Sequence, residues 1–380
     1  MNASNADHDV LAFCIGLSKR LIWLNLECSV WVVETQLSEI RKTSEKTSGK
    51  ALNLLKDTKN RHKLLPTAEL NAAVKIESSL LKGARKYFEE HGFVEVVVPH
   101  LTKATGACEN IATMFEVDYF GHRRYLSQTA QLYLEVLTPF LGKVWCIGPS
   151  FRAENAVDER HLTEFTLVEL EFAGNFKELL EHIEGVICSM IGCVLSERER
   201  ELQLLNVDVE RLKRVKKPFE KITYTEAVGL LADYGVKWGD DLKSHHEKSL
   251  IQMNGNKPLF ITHFPKAIKF FNMRENDENP EIVNSADLLL PMSGEAVGAA
   301  EREYRYERLY ERLVNSTMFK QLVEKGGSIE DFDWYLDFYK THNVLHSGCG
   351  IGLNRVTQFV LGAEDIRATT AFPLNRESII

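Results

Sequence analysis

Leu80, Leu81, Ala84, Tyr87 and Phe88 follow helical spacing, so they form one apolar stripe on a helix that Thr67 caps and that runs to about His91. Gly92 stops that helix. Residues 93–98 then read as a strand that Pro99 ends. Residues 114–119 and 124–126 read as a hairpin around Phe120-Gly121-His122, and Ser127 is placed to cap the helix that follows. Val144-Trp145-Cys146-Ile147 is a β-run. After a polar, turn-like segment at 155–159, a second strand carries Phe165, Leu167, Glu169 and Glu171 on one face, because strand side chains alternate. Residues 177–195 form an amphipathic helix, and 258–262 and 286–291 form short apolar strands. A charged helix is expected from Ala299 to about Val314. The glycine-rich stretch from His346 to Arg355 leads into a helix ending at Leu361.

These elements predict an α+β fold, an antiparallel sheet flanked by helices. Residues 1–65 read as a helical N-terminal extension: 10–26 is apolar, and 36–61 interleaves Lys and Glu at helical spacing. Residues 66–380 form the main domain, with a charged, less regular segment at about 197–256 that reads as an insertion or helical subdomain. The 44% apolar and 26% charged residues are those of an ordinary globular protein. A net charge of −8 argues against binding nucleic acid by bulk charge alone, and leaves a local basic path open. The seven cysteines form no Cys-x-x-Cys pair, which points to reduced thiols in a cytoplasmic protein without a zinc site. No uncharged run is long enough to span a membrane, and Asp7-His8-Asp9 stand where a signal peptide needs positive charge.

The candidate chemistry lies at the central hairpin. Arg152, Glu154, Arg160, His161 and Phe165, with the file of carboxylates on the second strand, converge on one place. Guanidinium groups hold phosphate oxygens in a planar fork, a ring stacks on a base, and a carboxylate accepts from an exocyclic amine. Near the C-terminus the alternating glycines let backbone and ligand approach closely, and the helix start favours phosphate. Either feature alone is weak, since Arg-x-Glu and Arg-His are common on solvated hairpins.

Phe-Arg-Ala-Glu, then Arg-His-Leu-Thr-Glu-Phe and an alternating strand, resembles the second signature motif of the class II aminoacyl-tRNA synthetases, in the aspartyl/asparaginyl branch. The helix and strand ending at Pro99 resemble the first motif, which forms the dimer interface in that family. The Gly-x-Gly-x-Gly run before Arg355, with Phe372-Pro373 beyond, resembles the third. Phe-Glu-Val-Asp-Tyr-Phe-Gly, Gln-Leu-Tyr-Leu-Glu and Trp-Tyr-Leu-Asp are most similar to asparaginyl enzymes of the archaeal and eukaryotic type.

The resemblance implies that Arg152 holds the α-phosphate of ATP, Glu154 accepts from the adenine amino group and Phe165 stacks on the ring. It gives His161 and Arg355 the γ-phosphate end, and Asp287 and Glu295 the Mg²⁺. It turns Gln131 and Glu169 toward the substrate's α-amino group, with Glu109 on a mobile loop above, and sets Arg302 on the side-chain oxygen. The family's aspartate enzymes carry Lys where this chain has Leu134, and its asparagine enzymes carry a carboxylate at Glu135 that accepts from the amide NH₂. Gly298 follows the asparagine pattern too. A buried Glu repels aspartate and pairs with asparagine.

There are departures. The family's N-terminal anticodon-binding barrel is missing from the pattern, which weakens the expectation of tRNA charging. Glu301, Asn354 and Leu374 replace the family's Gln, Glu and Arg. The leading expectation is a homodimeric ligase that forms asparaginyl-AMP and charges tRNA. Two alternatives stand beside it. One is a paralogue with another acceptor, including an aspartate-activating asparagine synthetase. The other is a non-catalytic regulatory module.

Overall fold

The computed structural model of the protein describes residues 51–103 and 111–378. Leu52–Ile380 form one compact unit. The expected extension at 1–65 therefore lies outside the described residues up to position 50, and the chain from Leu52 on already belongs to the main unit.

Two single turns of helix, Ala51–Leu54 and Arg61–Leu64, precede α1 (Ala68–Glu90). Thr67 caps α1 as its sequence implies, by accepting from Leu70 N–H. The apolar stripe Leu80, Ala84, Tyr87 and Phe88 is buried, and Gly92 leaves the helix at a φ of 73°. The expected strand at 93–98 shrinks to β1 (Val94–Glu95), paired in parallel with the later strand at Lys143. β2 (Leu101–Thr102), β3 (Glu116–Tyr119) and β4 (His122–Leu126) make a small sheet, with the hairpin turning at Phe120-Gly121. Ser127 does not cap the next helix. Its hydroxyl donates to Thr129 O, and α2 (Gln131–Leu141) starts after Ala130.

The central hairpin is β5 (Lys143–Phe151) and β6 (Glu164–Phe172), paired along its whole length. α3 (Phe176–Glu197) follows, opened by an Asn175–Glu178 capping box. It is long and apolar enough to cross a membrane, but here its Leu179, Ile183, Ile187 and Met190 are core residues of the same cluster as α1. Then come β7 (Glu220–Thr223), α4 (Tyr224–Leu230), α5 (Ser244–Met253), β8 (Leu259–Thr262), β9 (Ser285–Leu290) and β10 (Gly294–Glu301). The chain ends with α6 (Tyr306–Asn315), α7 (Asp333–Tyr339), β11 (Ser347–Gly352) and α8 (Leu353–Leu361).

The main sheet has eight strands in the order β1-β5-β6-β11-β10-β9-β8-β7, antiparallel except at its two edges. The α+β expectation therefore holds. Two local expectations do not. Residues 299–301 continue β10 and the helix starts only at Tyr306, so Arg302 stands at a strand end. The charged segment at 197–256 is no detached helical subdomain, because its β7 pairs with β8 in the main sheet.

α1, α3 and α8 cover one face of the sheet, and Val168, Leu170 and Phe172 of β6 point into that core. The opposite face of β6 is left for the cleft described below. Arg61 fastens the start of this unit to its end. It is 1% exposed and donates to the carbonyls of Leu55, Ala371 and Thr370. Burial without a carboxylate partner pulls its pKa down to about 10. Arg61→Met keeps most of the volume but leaves these buried carbonyls without donors. It should cost at least about 3 kcal/mol, from three unsatisfied carbonyls at about 1–3 kcal/mol each. The readout is a lower urea midpoint at unchanged slope, and an unchanged midpoint would refute the role.

Candidate active site

Glycines make the floor of the cleft. On β11, Gly348, Gly350 and Gly352 pair with Glu171, Glu169 and Leu167 of β6, and Gly298 of β10 pairs with Gly350. A Cβ on Gly348 would overlap the Glu171 carboxylate. The glycine run read from sequence as a close approach for a ligand is a strand, and the missing side chain of Gly348 makes room for the buried Glu171.

The cleft encloses about 460 Å³. Gln131, Arg152, Glu154, His161, Phe165, Glu169, Asp287, Glu295, Arg302 and Arg355 all line it. So ten of the expected residues, from six separate stretches of chain, are brought together. Glu109 lies outside the described residues.

Glu135 differs from its expected place. It is fully buried and stands behind the cleft wall rather than in it. One of its oxygens accepts from Gln131 Nε2 and Asn272 Nδ2, both at 2.7 Å. The other accepts from the hydroxyls of Tyr335 at 2.5 Å and Tyr339 at 2.9 Å. A carboxylate has about four lone-pair positions, and protein donors fill them here. A direct bond to a substrate amide is therefore not what this geometry provides.

His346 Nε2 and Arg302 Nε stand 3.7 and 3.8 Å from Glu135, but Arg302 is committed elsewhere. Its Nε and Nη2 donate to the two oxygens of Glu171, at 2.8 and 3.3 Å. Burial pushes Glu171 up, and the Glu135 charge adds to that against the pull of Arg302. Glu135 itself is charged. Burial opposes its charge, yet His346, Arg302 and the Tyr335 hydroxyl hold it at about 2. Glu169 is held by the Ala130 N–H at 2.7 Å and the Thr129 hydroxyl.

At the other end Arg152 lies over the Phe165 ring, 5.0 Å from its centroid. Arg355 donates to the carbonyls of Ser293 at 2.5 Å and Arg160 at 2.9 Å. Burial and the neighbouring Arg160 pull it down to about 10. His161 bonds through Nδ1 to Asp158 at 2.8 Å.

The expected metal ligands fit poorly. Both oxygens of Asp287 accept from Lys269 Nζ, at 2.7 and 3.0 Å. Asp287 and then Glu295 hold the buried Lys269 ammonium in its charged form. Lys269 thus stands where a cation between these carboxylates was expected. Among the described residues no cluster of three or more His, Cys, Asp or Glu is arranged for a metal.

The departures find structural places. Glu301 points away from the cleft and accepts from Arg274, Asn284 and the Phe176 N–H. Asn354 lines the cleft, accepts from Thr166 N–H and donates to the Thr369 hydroxyl. Leu374 acts through its carbonyl, which accepts from Thr163 N–H. Residues that sequence reasoning passed over include Glu247, Lys269, Asn272, Tyr335, Tyr339 and His346. Tyr335 lies in the Trp-Tyr-Leu-Asp phrase and His346 opens the glycine-rich stretch, but no local pattern gives any of the six a role in the site.

An antiparallel sheet that gathers arginines, an aromatic ring and buried glutamates on a glycine floor is the core of a class II aminoacyl-tRNA synthetase. The chain belongs to the class II tRNA synthetases (D, K and N), whose family model matches residues 54–376. The asparagine–tRNA ligase of Pelotomaculum thermopropionicum is 41% identical over 317 residues, covering 82% of this chain and 71% of that protein. The crystal structure of asparaginyl-tRNA synthetase from Pyrococcus horikoshii complexed with asparaginyl-adenylate aligns with a TM-score of 0.79 at 35% identity, over 88% of this chain and 74% of that one. An Entamoeba histolytica aspartyl-tRNA synthetase aligns at 0.67 and 27% identity, over 84% and 61%.

His346 is the titrating member of the Glu135 cluster. Burial favours its neutral form, but Glu135 and Glu171 outweigh this and raise its pKa above the ordinary value of 6.5. The stability this adds is fully present below about pH 6.5 and is lost as pH rises through the raised value. The His346 ring resonances should titrate above pH 6.5 in the wild type and fall toward or below it in Glu135→Gln. A wild-type midpoint below 6.5 by NMR would contradict the cluster as described.

Proposed function

We propose that the protein activates asparagine with ATP and passes the asparaginyl group to tRNA, in the cytoplasm and as a homodimer. What carries this reading is the convergence of the ten expected residues on one cleft, in a chain of this family. The substrate carboxylate oxygen attacks the α-phosphorus, the bond to the bridging oxygen breaks, and pyrophosphate leaves with the electron pair. A hydroxyl at the tRNA terminus then attacks the acyl carbon, the acyl–phosphate bond breaks, and AMP leaves as the hydroxyl proton passes to its phosphate oxygen. The first step needs no general base. It needs alignment and charge neutralisation.

In this reading Arg152 takes the α-phosphate, Phe165 the adenine ring and Glu154 its amino group. Arg355 and His161 take the far phosphates. Gln131 spends its NH₂ on Glu135, so its carbonyl oxygen is left to accept from the substrate's ammonium, beside Glu169. Mg²⁺ is the metal expected with ATP, but Lys269 already occupies Asp287, and no step here passes through the metal.

Preference for asparagine over aspartate follows from charge. Arg302 is already matched by Glu171, and Leu134 supplies no cation. The carboxylate of aspartate would enter unmatched beside the charged Glu135, whereas a carboxamide brings no charge. Glu135 thus discriminates by its field and by holding Gln131.

Pyrophosphate exchange into ATP tests this directly. Exchange should depend on asparagine and should fall at least about a hundredfold with aspartate, as a buried unmatched charge requires. Equal exchange with aspartate would overturn the pocket argument. Acyl-tRNA formation in a parallel set decides the acceptor, and exchange without charging would point to another one.

The homodimer has its own test. Val97 is 98% exposed and Val94 44%, beside the short edge strand β1. Val97→Glu should give a monomer by light scattering with an unchanged circular dichroism spectrum. A variant that remained dimeric would place the interface elsewhere.

A further inference from the structure

The segment at 197–256 was expected as an insertion without a known contact. It reaches the cleft through α5, whose Ser244 and Glu247 line it about one turn apart. Glu247 is 8% exposed. Its Oε2 accepts from Arg160 Nη2 at 2.6 Å and from Glu295 N–H at 3.3 Å. One carboxylate oxygen therefore joins α5, the β5–β6 connection and the β9–β10 turn. The turn is shaped for this contact. Gly294 has φ of +70°, and a Cβ there would overlap both Arg160 and Glu247.

Arg160 is otherwise loosely held. Its Nε–H is buried and has no acceptor. The neighbouring Arg355 donates to the Arg160 carbonyl, and the Arg160 guanidinium opposes the charge of Arg355. Without a carboxylate beside it, Arg160 would be driven away from Arg355 and from the far end of the cleft.

We propose that Glu247 on α5 is a positioning residue of the nucleotide site: it holds the Arg160 guanidinium and the Glu295 backbone at the end that receives the β- and γ-phosphates. The assignment rests on the reading of this cleft as an ATP site. It gives the 197–256 segment a part in nucleotide binding, as the piece that closes the phosphate end. The contact is local to that end, so it should matter for a triphosphate and not for a monophosphate.

Calorimetric titration of ATP and of AMP into the full-length wild type, Glu247→Ala and Glu247→Gln tests it. Glu247→Ala should weaken ATP about tenfold and leave AMP within about twofold, the scale of one charge-assisted contact. Glu247→Gln keeps an acceptor for both donors without the charge, and should weaken ATP by about threefold. It also serves if the alanine variant does not fold. Arg160→Ala should weaken ATP too, and adding Glu247→Ala to it should cost little more. Equal losses for ATP and AMP would reduce α5 to a structural part, and no loss for ATP would leave Glu247 idle; either overturns the assignment. A wild type that binds ATP no better than AMP overturns it as well. A wild type that binds ATP tightly but shows no asparagine-dependent exchange would sink the proposed activity while the Glu247 assignment stood.

Discussion

On the proposed reading, the amino-acid end of the cleft depends on one buried charge, the carboxylate of Glu135. It joins α2, the loop at Asn272, α7 and the start of β11 through Gln131, Asn272, Tyr335, Tyr339 and His346. Each of these groups would otherwise be a buried polar atom in search of a partner, at about 1–3 kcal/mol apiece. A buried ion is stabilising only when its lone pairs are filled, and here they are. The consequence is directional. Gln131 turns its NH₂ toward Glu135, because Glu135 accepts and never donates, and this leaves its carbonyl oxygen for other partners. The site's polarity is therefore set by a residue that does not line it.

The sheet supplies the other constraint. Glu171 can lie on this face of β6 only because its neighbour on β11 is Gly348, where a Cβ would overlap its carboxylate, and Gly350 beside Glu169 and Gly298 on β10 extend that bare floor. This explains what sequence patterns could and could not tell. The stripe from Leu80 to Phe88 and the alternation on β6 were legible, because burial of one face writes itself into local spacing. The strand at 294–301 was not. Gly298, Ala299, Ala300 and Glu301 carry no β-branched or aromatic residue, and the charges that follow suggest a helix. The floor needs small residues there, and the neighbouring strands, rather than local propensity, impose the extended backbone. β1 fails in the other sense: its residues look like a longer strand, but only Val94 and Glu95 pair with β5.

The candidate site was legible where family motifs carried it. Arg152, Phe165, Glu169, Arg302 and Arg355 reach one cleft, as the resemblance implied. What sequence could not supply was the pairing among charges. Nothing in the order of residues says that Arg302 is spent on Glu171, that Lys269 neutralises Asp287, or that a glutamate from the charged segment meets Arg160. These pairs join positions far apart in the chain, and each changes the role its members can take. Asp287 paired to lysine is a poor metal ligand, and Glu135 filled by donors is a poor direct partner for a substrate amide. The motif tells which groups are present, and the pairing tells which of them remain available.

The two ends of the cleft differ in that availability. At the amino-acid end the charged groups face one another, Arg302 against Glu171 and Glu135, so a neutral side chain disturbs nothing. At the phosphate end Arg355 rests on neutral carbonyls, and Arg160 has a single carboxylate oxygen and an idle Nε–H. Exchanging a neutral acceptor for a phosphate oxygen strengthens each of those bonds, because hydrogen bonds to ions are the stronger kind. It also relieves the opposition between the two guanidinium groups. On the proposed reading, a polyanion is favoured at one end by the same economy of pairing that favours a neutral amide at the other.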